Sequence, residues 1–302
     1  MRCVWCLRWY AVASVLRCSH LNRALGDIGK LIMYEKLRKE FESNSIPVDK
    51  VDFFDHPNFL RAEQQDASYL VKFAQFVAEQ PYSSEYLAKA EKIIADVCNV
   101  LSAQLIENGR EGACVDIAGI LSRILEKKGV WSCCIKGSTT INFPENSGEE
   151  TTYFWSVNNT QAAAGHAWVF APPFSIIDIT LKQQPYTGNK KLFIPEIILV
   201  KDTEKAHSKV EDIISPEVRL YLQMQRVPEN KMFDVAACQL KLVQSSIPAC
   251  KVTIDDTSFT YSPVAVFATD GALPVMSNMH FKGKSPYKMY QQKIEKQVES
   301  IT

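Results

Sequence analysis

A cysteine, a histidine and an aspartate stand in three short blocks of this chain: Gly112-Ala113-Cys114-Val115-Asp116, Gly165-His166-Ala167-Trp168-Val169 and Ile177-Asp178-Ile179-Thr180. A thiol attacks an acyl carbon at neutral pH once a base has taken its proton, and the base works best when a third group holds it in one tautomer. In that chemistry Cys114 is the candidate nucleophile. His166 is the base that takes the thiol proton and returns it to the leaving group, and Asp178 is the orienter that favours the imidazolium.

Each block needs an element to aim it. Ile117, Ile120, Leu121, Ile124 and Leu125 recur at helical spacing and Lys127-Lys128-Gly129 stops the run, so a helix is expected from about Cys114 to Lys127. That places Cys114 at a helix N-terminus, where free N–H groups and the positive end of the dipole favour a thiolate and can donate to an oxyanion. Gly112 and Ala113 leave room for a substrate carbonyl. His166 opens one expected strand (166–170) and Asp178 falls late in the next (174–181), joined by the tight Ala171-Pro172-Pro173 connection that makes the two strands neighbours. Ser175 to Leu181 is otherwise apolar, so a carboxylate buried there needs a partner, and His166 is the obvious one.

The flanking chain reads as helices, then strands, then a mixture. A helix is expected over 62–80, closed by Pro81, and another from Ser83 or Ser84 to Asn108-Gly109, with Cys98 beside its buried stripe. Strands are expected at 131–143, 151–157 and 192–200, and again within 233–270. Ser215-Pro216 and Ser285-Pro286 should each start a helix. Residues 144–164 lie between nucleophile and base, as a loop over the cleft or an exposed hairpin.

Composition narrows the class. The chain has 302 residues, 46% hydrophobic and 23% charged, which suits one large domain or two small ones. With 34 basic and 34 acidic residues no overall field draws it to nucleic acid or an anionic membrane. Nine cysteines without repeated spacing fit a reducing compartment, and Cys133-Cys134 on one strand would face opposite ways. Arg8 and Arg17 interrupt the N-terminal apolar stretch, so neither a secretion signal nor a membrane span is expected, and the reading is cytoplasmic. Cys3, Cys6, Cys18 and His20 do not read as a zinc knuckle, and His207 and His280 lack ligand-spaced partners, so neither metal nor cofactor is expected.

Taken together, Gly112-x-Cys114-x-Asp116-x-Ala118, Leu121, Leu125, Gly129, Gly137, His166-Ala167-Trp168-Val169 and Asp178-x-Thr180 resemble the bacterial transglutaminase-like superfamily, with the same order of Cys, His and Asp. The resemblance covers about residues 112–181. It implies an α+β, papain-like core, with the nucleophile helix packed on an antiparallel sheet, N-terminal helices and an α/β C-terminal extension. It further implies thiol-based cleavage or transfer of amide bonds in a peptide, protein or other amide substrate, with Cys114, His166 and Asp178 as the triad and Asp116 in support. The common Pro-Ala-Arg after the helix is replaced near Val130-Trp131-Ser132, and Asp-Pro-Thr appears as Asp178-Ile179-Thr180. Arg110-Glu111-Gly112-Ala113-Cys114 also resembles the arylamine N-acetyltransferase signature except at Glu111, which keeps acetyl transfer from coenzyme A as an alternative. A non-catalytic interaction module on the same fold is the other alternative.

The resulting division is an extension at 1–32, with Met33 opening a helix-compatible segment, a helical region at 33–110, a catalytic core at 111–200 and a C-terminal α/β region at 201–302. A second oxyanion donor is not assigned; Gln104, the upstream glutamines and Arg110 are each candidates.

Overall fold

The computed structural model describes residues 28–159, 165–269 and 271–301. Helix α1 covers 28–43, so Met33 lies inside it. It is followed by α2 (Pro57–Gln65), α3 (Tyr69–Glu79), α4 (Ser84–Asn108) and α5 (Cys114–Lys127), then strands β1 (Cys133–Asn142), β2 (Thr152–Phe154), β3 (His166–Ala171), β4 (Phe174–Asp178) and β5 (Ile198–Val200). The remaining chain forms β6 (Glu204–Lys205), α6 (Val210–Ile213), α7 (Pro216–Met224), α8 (Met232–Ala236), α9 (Leu240–Ser246), β7 (Cys250–Ile254), β8 (Thr257–Phe267) and α10 (Pro286–Lys293).

The strands make one curled antiparallel sheet in the order β5-β4-β3-β1-β8-β7-β6, and β2 pairs with the outer half of β1. Residues beyond 201 complete this sheet, because β8 lies along β1 from Cys134↔Phe267 to Asn142↔Ser258.

Period-two alternation divides the sheet between two cores. On one face Cys134, Ala167, Val169 and Ile177 pack with α4, α5 and α10; on the other Cys133, Ile135, Trp168, Ile176 and Tyr261 meet an aromatic cluster that includes Phe41, Phe53, Phe59 and Phe76. The adjacent cysteines do point to opposite sides. Ile117, Leu121 and Ile124 of α5 are fully buried, each contributing about 1.5–3 kcal/mol of burial energy that fixes the helix on the sheet.

The caps follow local chemistry. Ser83 accepts a hydrogen bond from the Tyr86 N–H at the start of α4, and Gly109 ends it in the left-handed region at φ 66°. Lys128, just past α5, is buried and donates from Nζ to the carbonyls of Glu295 (2.8 Å) and Val298 (2.7 Å), which ties the C-terminal turn to α5.

Three sequence expectations need correction. The single helix over 62–80 is two, because Asp66 turns back to accept from the Ser68 N–H and hydroxyl and breaks the run. Only the second half of 233–270 is strand; its first half is α8 and α9, and Leu240 and Val243 of α9 are buried at helical spacing where that helix packs on β8. The run at 192–200 begins as a 3-10 turn, Lys190–Phe193, and becomes extended only at Ile198.

Candidate active site

Cys114 is the first residue of α5, as its sequence context predicts. The preceding loop is held from both sides. Gly112 donates its N–H to the Gln183 carbonyl at 3.2 Å, tying it to the turn after β4. On the other flank Asp116 accepts from Arg110 at 2.9 Å and from Asn278 Nδ2 at 3.1 Å, so Asp116 braces the first turn of the helix.

β3 carries the histidine. Gly165 enters the strand at φ 84°, and a Cβ there would stand 2.5 Å from the Gly137 carbonyl oxygen. Gly137, paired with His166 across the β1–β3 ladder, likewise has no room for a side chain: its Cβ would lie 2.3 Å from Ser262 O and 2.6 Å from Trp168 Cη2. These two glycines let His166 lie low on the sheet beside Trp168, ring centroids 6.5 Å apart and 23° from parallel. Phe154 of β2 covers the imidazole at 5.8 Å, which is how the segment at 144–159 meets the site. Residues 160–164 lie outside the described residues.

β4 carries the carboxylate. The Pro172-Pro173 turn, with a cis peptide bond, brings β4 back beside β3 as expected. Asp178 Oδ2 is 2.6 Å from His166 Nε2 and also accepts from the Tyr261 hydroxyl at 3.1 Å. Its Oδ1 accepts from the Thr180 N–H (2.9 Å), the Thr180 hydroxyl (3.1 Å) and the Leu181 N–H (3.1 Å). Two backbone N–H groups that can only donate, together with the His166 ring, hold the Asp178 carboxyl below its usual range, so it stands as a carboxylate and the bonded His166 nitrogen is the donor.

With Nε2 held by Asp178, Nδ1 is the nitrogen left to the thiol. It has no conventional hydrogen-bond partner among the described residues, and the Cys114 side chain is the acidic group beside it. The β3–β4 ladder pairs Val169 with Ile177 and Ala171 with Phe174, short of Ala167, whose backbone favours the charged form of the Cys114 thiol.

The charges favour an ion pair. Burial pushes the Cys114 thiol up, but the charge of the neighbouring His166 ring and the backbone at Ala167 outweigh it, and the net displacement is downward. Burial pulls the His166 imidazole down; Asp178 and Cys114 outweigh it and hold the ring well above its ordinary value. Burial raises the Asp178 carboxyl, and His166 and Thr180 bring it below the usual range. The other core thiols lack such neighbours: burial drives Cys98 and Cys133 far up. All three site residues are buried, Cys114 at 7%, His166 at 1% and Asp178 at 2% exposure.

Arg110 donates to Asp116 and to the Asn278 carbonyl, and the free N–H groups of the first turn of α5 are further donors beside Cys114. Tyr261 is the site residue that sequence reasoning missed. It lies 83 residues beyond Asp178 in an ordinary alternating strand, and only the β1–β8 pairing brings it near. A cleft of about 460 Å³ opens beside Val115 and Asp116, and Cys114 does not line it. His207 and His280 are exposed. Among the described residues no helix is long and apolar enough to cross a membrane and no cluster of three or more His, Cys, Asp or Glu could hold a metal; Cys3, Cys6, Cys18 and His20 lie outside the described residues.

Compared with known proteins, the chain matches no family model, no curated protein and no solved structure.

Proposed function

We propose that this protein is a thiol enzyme of transglutaminase-like, papain-like type that hydrolyses an amide or related acyl bond or transfers its acyl group to an amine. The observation that carries the reading is the buried Cys114–His166–Asp178 relay at the start of α5. His166 takes the thiol proton at Nδ1, and the sulfur attacks the carbonyl carbon. The oxyanion forms against the N–H groups of the helix start. His166 then gives that proton to the departing amine, the C–N bond breaks, and a thioester at Cys114 remains. Water or an amine, deprotonated by His166, releases the acyl group and restores the thiol.

A test is to trap the intermediate with p-nitrophenyl acetate. The reading expects an acetyl adduct, removed by hydroxylamine and mapped to Cys114, that is lost in Cys114→Ala and strongly reduced in His166→Ala. Acetylation that is equal in wild type and His166→Ala would contradict it.

One observation favours the second reading, an interaction module that retains the fold: the thiol is almost covered in this conformation. Under that reading Cys114 stays unmodified. Acetylation by acetyl-coenzyme A as well would instead support the arylamine N-acetyltransferase-like alternative.

A further inference from the structure

We propose that Tyr261 is a positioning residue of the thiol site, its hydroxyl sharing Oδ2 of Asp178 with the His166 ring so that it fixes the carboxylate and tempers its hold on the imidazolium. The inference rests on the reading above and adds a residue that lies outside the triad.

The geometry leaves the hydroxyl one role. Every hydrogen bond to Asp178 is a donation, and Tyr261 gives its proton to the same oxygen that holds Nε2, at 3.1 Å against 2.6 Å. The tyrosine is itself immobilised. It is fully buried, with its ring edge against Trp168 at 5.0 Å, and Trp168 in turn lies along His166. The β8 backbone beneath it is paired on both sides, with Thr139 of β1 and Cys250 of β7. Hydroxyl, carboxylate and imidazole therefore form one buried hydrogen-bonded chain from β8 to His166.

The chemistry that needs tempering is proton return. A carboxylate left entirely to the imidazolium would hold it too well, and the ring must release a proton to the leaving group. A second donor on Oδ2 spreads the charge of that oxygen over two hydrogen bonds and weakens its pull on the ring. The other ionisable groups facing this cluster are Cys114 from α5, Tyr186 from the segment after β4 and Cys250 from β7. Burial raises both Tyr186 and Cys250, so they stay neutral near pH 7.

The test is a nitrogen-15 histidine NMR titration of the full chain, with the His166 ring assigned by its loss in His166→Ala. In Tyr261→Phe the pH at which the ring deprotonates should rise by about half to one unit, the size expected for losing one competing hydrogen bond. With 3-fluorotyrosine at 261, which keeps the hydroxyl and donates more strongly, it should fall. A purely structural tyrosine would lower the unfolding temperature and leave both titrations where they are, and that result, or shifts of the opposite signs, would overturn the proposal. If the phenylalanine variant does not fold, the sign of the fluorotyrosine shift decides. Because the readout is the ring and not the sulfur, the two failures are distinguishable: an unreactive Cys114 defeats the enzyme reading on which this one rests, whereas unmoved ring titrations with a reactive Cys114 defeat this one alone.

Discussion

Nε2 of His166 and Oδ2 of Asp178 lie 2.6 Å apart, and neither side chain is exposed to solvent. Removing one partner of such a pair strands the other in the core. Asp178→Ala is expected to destabilise the protein by about 3–5 kcal/mol in urea unfolding. A loss under about 1 kcal/mol would mean the pair is far better hydrated than its burial implies.

The same pair gives stability a pH dependence whose sign depends on the group. Asp178 is lowered, so its contribution is present above the unfolded carboxylate value of about 3.9 and is lost as pH falls through the folded value. The stability gap between wild type and Asp178→Asn should therefore be wide near pH 6 and close as pH falls toward 3. His166 is raised: its contribution is complete below about 6.5 and declines as pH rises. Cys114 is lowered, with the reverse dependence, so the two offset each other between about pH 6.5 and 8.5. In Cys114→Ala that offset is gone, and stability should fall as pH rises across this range; a flat profile in the variant would contradict the pairing.

Gly165→Ala meets two obstacles at once, a left-handed φ of 84° and a Cβ 2.5 Å from the Gly137 carbonyl. The expected cost is about 2–4 kcal/mol in thermal or urea unfolding, with His166 displaced. Gly112→Ala is the control: its φ is 69° but no atom lies within 4 Å of the added Cβ, so only the backbone cost of about 1–2 kcal/mol should appear. Equal losses in both would show that the close approach at Gly165 does not matter.

Away from the site, Arg123 is 1% exposed and donates to Asp55, Glu126, Thr269 Oγ1 and the Thr269 carbonyl. Arg123→Ala leaves Glu126, its side chain 9% exposed, without its ion-pair partner, and about 3–5 kcal/mol should be lost. The Glu111–Lys191 pair is short at 2.6 Å but largely exposed, at 53% and 39%. Glu111→Gln should change stability by less than about 1 kcal/mol. A larger change would show that this pair clamps the loop before the nucleophile.

The residues that were legible in the sequence share one property: their geometry is set by neighbours within a few positions. The α5 start at Cys114, the Ser83 cap and Gly109 stop of α4, and the Pro172-Pro173 turn are all local. The turn alone makes Asp178 and His166 neighbours. Tyr261 was not legible, because its place beside Asp178 is decided by the pairing of β8 with β1. α9 was misread for a different reason: Leu240, Leu242 and Val243 fit an alternating pattern as well as a helical one, and only packing on β8 chooses. The split between α2 and α3 turns on a side-chain hydrogen bond of Asp66 that competes with the helix.

The central claim is that His166 activates Cys114, and the direct measurement is the pH dependence of iodoacetamide alkylation at Cys114, resolved by mass spectrometry from the other eight thiols, in wild type and His166→Ala. The account predicts that Cys114 reacts selectively below pH 7 in wild type, ahead of Cys98 and Cys133, and loses that advantage without His166. A Cys114 that reacts no faster than Cys98 or Cys238, or equally in both proteins, would contradict it.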